Sequence, residues 1–115
     1  MIKDNIDKLD LLAQLDNKIH REHDAYKQNL YRMTVDEVIQ NSYKTVMFNE
    51  FVYILENYAG DMLENWQIEL LLTVENLLEL LYADWINFDS EEGDVYKEFV
   101  FGYWNWEYLQ KENKQ

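Results

Sequence analysis

The 115-residue chain has no cysteine, no proline, only three glycines, and no lysine or arginine between Thr45 and Tyr96. Without cysteine there is no disulfide, no thiolate metal site and no cysteine nucleophile. Without proline, and with so little glycine, the punctuation of β-sandwiches and long loops is missing, which favours helices throughout. The two serines, Ser42 and Ser90, lie in neither a nucleophile-elbow nor a phosphate-loop sequence, and no Gly-rich loop exists. With 23 acids present, no single carboxylate pair marks itself out for general acid/base work. Neither an enzyme nor a cofactor is expected. No apolar run reaches the roughly 18 residues of a membrane span. The opening MIKDNIDKLD mixes charge into its apolar residues, unlike a signal peptide. These features imply a cytoplasmic protein without membrane contact.

What is present is a core. Hydrophobic residues make up 48% and aromatics 16%, so a net charge of −13 does not make this a disordered acidic tail. A chain of this length hides roughly two-thirds of its unfolded surface. One domain over residues 1–115 is expected: a compact all-α bundle of four to five helices around a leucine-rich central helix.

That centre is Trp66–Trp85, WQIELLLTVENLLELLYADW, apolar on nearly all sides and therefore buried on several. Before it, Ile2, Ile6, Leu9, Leu12, Leu15, Ile19, His23, Tyr26, Leu30 and Met33 recur every three or four residues, predicting one long amphipathic helix from about Asn5 to Arg32. Thr34 and Glu37 form a capping box that starts a second helix at Val35. It is expected to continue through Tyr58 and to end on Gly60 in a left-handed conformation. Asp61 or Asn65 can cap the central stretch. Thr73 with Asn76 could cap again, giving one helix to Leu72 and another from Val74 to Phe88, so the pattern allows one helix or two. Asp89 or Ser90 can cap a last helix to about Leu109. Helix is preferred there over strand because a lone strand would leave its backbone groups unpaired.

The charge is a block. Residues 1–44 carry eight acids and seven bases, residues 97–115 three of each, and residues 45–96 twelve acids and no base. Such a block draws a basic partner and repels DNA, RNA and anionic lipid. Glu64, Glu69, Glu75, Glu79, Asp84, Glu91, Glu92 and Asp94 are the candidate acidic face, with i,i+4 carboxylates such as Glu75 and Glu79 roughly 6 Å apart, near the phosphate spacing. The C-terminal aromatics exceed what one core can take from a terminal helix. Trp104, Trp106 and Tyr108 are therefore expected to anchor a partner. These residues suggest a non-enzymatic protein that imitates nucleic acid and occupies the groove of a basic nucleic-acid-binding effector nuclease. The alternative is a helical adaptor or homodimer held by the aromatic helix, its charge only solvating.

Metal is weighed and set aside. Asp16/His20 and His20/Asp24 have i,i+4 chelating spacing, but no third ligand is evident and His23 lies on the apolar beat. The 87–98 loop approaches an EF-hand, yet Gly93 falls at position seven instead of six.

Three segments, TVDEVIQNSYK, Leu63–Leu72 (LENWQIELLL) and Glu75–Trp85 (ENLLELLYADW), resemble a family of small helical proteins of unknown function carried on mobile elements of Gram-positive bacteria. The general look of the chain is similar to anti-CRISPR and anti-restriction proteins, which are often small, acidic and cysteine-free. This resemblance implies a defence inhibitor, and supplies no functional motif that can be placed on particular residues.

Overall fold

A computed structural model describes residues 2–87, 99–104 and 106. Among these residues every regular element is helical: α1 Ile2–Leu30, α2 Val35–Gln40, α3 Ser42–Met62, α4 Asn65–Thr73, α5 Leu77–Ile86, and a π-helical turn at Phe99–Tyr103. The all-α expectation holds.

The long N-terminal helix forms as its spacing predicts. At 29 residues α1 is about 43 Å long, and α3, α4 and α5 all pack on it. Leu15, Ile19 and Tyr26 carry its buried stripe, and Tyr26 lies with its ring 4.4 Å from that of Phe48 in α3. The Tyr26 hydroxyl shares a 2.8 Å hydrogen bond with Thr45 Oγ1, so burying this ring leaves its polar tip satisfied. Leu9, on the same beat, stays exposed, so the apolar stripe is longer than the surface that covers it.

The Thr34–Glu37 capping box is present in both directions. The helix it starts is short, however. It stops at Gln40, and Asn41 (φ −98°, ψ 11°) separates α2 from α3, with both its backbone N–H and its side-chain amide donating to the Glu37 carbonyl. One helix from Val35 to Tyr58 was expected; two are found. Gly60 does not terminate α3 either. It lies inside the helix without a positive φ, and α3 runs on to Met62. Its role is close approach: a Cβ there would sit 3.2 Å from Leu12 Cδ1, where α3 passes α1.

The leucine-rich stretch is bent. α4 ends at Thr73, whose hydroxyl donates to the Leu70 carbonyl, and Val74 is extended. Asn76 takes the left-handed conformation (φ 55°, ψ 57°), which asparagine tolerates better than most residues. Asn76 holds the N-cap position of α5, as the sequence allowed, but makes no side-chain cap bond. The Leu78 N–H donates instead to Glu22 Oε1 of α1, at 2.8 Å. The bend lets both halves bury leucines: Ile68 and Leu71 from α4, Leu77, Leu78 and Leu81 from α5, each 0–1% exposed. Each such side chain contributes about 1.5–3 kcal/mol. The cap of α4 also differs from expectation. Glu64 holds that position, its N–H donating to Gln67 Oε1, rather than Asp61 or Asn65. Most of the expected last helix lies outside the described residues.

Candidate protein-binding surface

The five described acids of the candidate face divide into two groups. Glu69 and Glu75 are exposed and unpaired among the described residues. The other three are in internal use. Glu64 Oε2 accepts from Trp66 Nε1 at 2.6 Å, and Asp84 Oδ2 accepts from Trp104 Nε1 at 2.7 Å. Glu79 pairs at 2.8 Å with Lys44 Nζ, which also lies 5.5–5.6 Å from the ring centres of Tyr26, Phe48 and Tyr82. Lys44 stands one residue before the base-free block and neutralises one of its acids. Glu91, Glu92, Asp94 and Tyr108 lie outside the described residues.

Two of the three expected aromatic anchors are described, and both are buried within the chain. Trp104 and Trp106 are 5% and 9% exposed, members of the core rather than a sticky surface. Among the described rings, Phe99, Trp104 and Trp106 pack edge-on against one another or against the two ends of the bent stretch. Trp104 meets Trp106 at 5.1 Å, Trp106 meets Trp66 at the start of α4 at 6.4 Å, and Phe99 meets Trp85 at the end of α5 at 5.4 Å. Rings are used where two short helix ends leave ring-sized gaps.

The apolar surface lies elsewhere. α2 has no buried residue, and Val35, Val38 and Ile39, at i, i+3 and i+4 spacing, form one exposed face. Tyr31 before it (80% exposed) and Tyr43 and Val46 after it are exposed as well, so the apolar residues left in water cluster in the sequence around this ridge. The sequence holds the signal, since residues 35–51 carry apolar groups on two sides of a helix and one core can take only one. Met47, Phe48 and Phe51 win that competition. The ridge segment, residues 31–46, carries Arg32, Lys44, Asp36 and Glu37 and is neutral as a whole.

His20 Nε2 lies 3.5 Å from Glu56, both half exposed, and no group of three or more metal-capable side chains converges among the described residues. Burial, then the charge of Lys27, holds His23 below its ordinary 6.5, against a raising hydrogen bond with Asn49 and the charge of Asp24. The unfolded chain therefore binds the proton more readily in the window just below 6.5, and stability falls as pH is lowered through it. Asp16 moves the other way. Burial, then Glu56, raises it above 3.8, so its share of stability falls as pH rises through the window just above that value. In urea titrations between pH 7.5 and 5, His23→Gln is expected to flatten the wild-type loss on acidification; an unchanged slope would remove His23 from the account.

No described helix is long and apolar enough to cross a membrane. Comparison with protein-family models, curated proteins and solved structures finds no match, so any functional reading stands on this geometry.

Proposed function

We propose that the chain is a non-enzymatic binding protein that docks its α2 ridge onto a protein with a basic surface. The single observation that carries this is the ridge itself: a helix with no buried residue holds three exposed aliphatic side chains, flanked by exposed tyrosines. Exposed apolar surface gathered in one place marks interaction sites far more often than scattered apolar residues do. Charge complementarity selects the occupant. A net charge of −13 disfavours a second copy of the chain and accelerates encounter with a cationic partner, while the three exposed aliphatic side chains of α2 carry no charge to desolvate. Nucleic-acid-handling effectors, including defence nucleases, are the partner class with the matching sign. Glu69 and Glu75 supply steering in this reading, and the ridge supplies affinity. Literal imitation of a phosphate row is the weaker part, because Glu64, Glu79 and Asp84 are engaged within the chain.

The test is surface-measured binding to purified basic effectors at low and physiological salt. Val35→Asp with Ile39→Asp is expected to weaken binding about tenfold or more through faster dissociation. Glu69→Lys with Glu75→Lys is expected chiefly to slow association and to reduce its salt dependence. Absence of binding to every basic effector would sink the proposal. A concentration-dependent dimer abolished by the ridge variant would replace it with self-association.

A further inference from the structure

We infer that the cavity between α1 and the start of α5 is a binding site for a small dianion whose two anionic groups are separated by an uncharged middle. The cavity is about 480 Å³, within the range of small-molecule sites. One wall is a stripe of α1: Arg21, Ala25, Gln28 and Asn29, continued by Arg32 just past the helix end. Steps of four, three or four, and three bring these residues to one side of the helix, and Ala25 leaves the middle of the stripe without bulk. Arg21 and Arg32 stand at the two ends, eleven residues and three turns apart, so the positive charge is bipolar rather than central. Asn76, at the bend, lines the opposite side.

The decisive feature is which charges are already occupied. Lys18 is taken by Glu22 at 3.0 Å, Lys27 by Asp24 and Lys44 by Glu79. The guanidinium groups of Arg21 and Arg32 have no ion-pair or hydrogen-bond partner among the described residues, and both side chains line this one cavity. The lining holds Arg21 and Arg32 with two carboxylates, Glu22 and Glu79, and each carboxylate is already paired with a lysine outside the lining, Lys18 or Lys44. With both carboxylates compensated, the two guanidinium charges are left over in a chain whose total is −13. The wider negative field opposes an anion, but charges beyond about 8 Å are largely screened at physiological ionic strength, whereas guanidinium contacts are short and charge-assisted. Local contacts win. Guanidinium forks with free donors suit carboxylate and phosphate equally, so the shared chemistry is an oxyanion at each end.

Isothermal titration calorimetry and thermal melting of the full chain, with adipate and with adenosine 3′,5′-bisphosphate against NaCl of matched ionic strength, test this. At least one probe is expected to bind and to raise the melting temperature beyond matched salt; which one tells carboxylate from phosphate. Arg21→Gln and Arg32→Gln are each expected to weaken binding about tenfold or more, and together to abolish it. Both side chains are exposed and unpaired among the described residues, so circular dichroism should remain that of wild type. Ala25→Phe, which fills the cavity and leaves every charge in place, should also abolish binding. Lys8→Gln, which removes a cation elsewhere on α1 that is unpaired among the described residues, should not. The inference is overturned if neither probe exceeds matched salt, if Lys8→Gln weakens binding as much as the arginine variants, or if Ala25→Phe binds as wild type does.

Discussion

Replacing Trp104 by alanine is expected to lower the free energy of unfolding by about 3–5 kcal/mol, read from the midpoint of urea denaturation followed by circular dichroism. The ring is 5% exposed and packs edge-on against Trp106, so its removal leaves a cavity that a neighbouring indole cannot easily collapse into. A further loss comes from Asp84, whose carboxylate gives up the 2.7 Å hydrogen bond from Trp104 Nε1. Trp104→Phe separates the two contributions. It keeps most of the ring and loses the N–H, and should cost about 1–2 kcal/mol. Domains of this kind are stable by only about 5–15 kcal/mol, so the alanine variant would give up a large share of the total. Trp66 is the internal control. It is 42% exposed, and Trp66→Ala should cost less than half as much. A tryptophan that served only to grip a partner would leave the unfolding midpoint where it was, and that result for Trp104→Ala would return it to the surface.

The contrast between Trp104 and the α2 ridge shows what a single sequence reveals. The helices themselves were legible, because apolar spacing in α1 and the reciprocal Thr34–Glu37 cap are local and their partners lie within a few turns. The break at Asn41 was not, since it depends on hydrogen bonds that compete with an otherwise continuous apolar beat. Gly60 misled for a related reason. Its position suggested a terminator, but the constraint on it is Leu12 passing overhead, a contact between residues 48 apart in sequence. The choice between one central helix and two involves contacts such as that of the Leu78 amide with Glu22, which no window around Thr73 contains. Once the stretch is bent, burial of Trp104 and Trp106 follows, because the ends of α4 and α5 then offer them surfaces. The acidic face was legible as composition but not as a site: whether a carboxylate is free depends on Lys44 and on indole N–H groups that reach it across the fold.

Glu22 is the residue whose loss should show how the bend is held. Its side chain is 14% exposed and joins three things: Lys18 one turn earlier at 3.0 Å, the Leu78 amide across a separation of 56 residues, and through that amide the first turn of α5. Glu22→Ala leaves the Lys18 ammonium, itself only 12% exposed, without a counter-charge and the Leu78 N–H without an acceptor. Breaking a fully buried pair by removing one partner costs about 3–5 kcal/mol; with both groups slightly open to water the expected loss is about 2–4 kcal/mol. Glu22→Gln should cost about half as much, because an amide oxygen can still accept from Leu78 while the charge is gone. Lys18→Met in the Glu22→Gln background should recover part of the loss by removing the stranded cation, and the double-mutant cycle reads the coupling directly. Amide exchange supplies the local signature: in Glu22→Ala the protons at the start of α5 should exchange faster than those of Phe51 and Leu55 in α3, which report the global core. If Glu22→Ala unfolds at the wild-type midpoint and the Leu78 amide stays protected, packing of Leu77, Leu78 and Leu81 alone fixes the start of α5, and the carboxylate is a consequence of the bend rather than its cause.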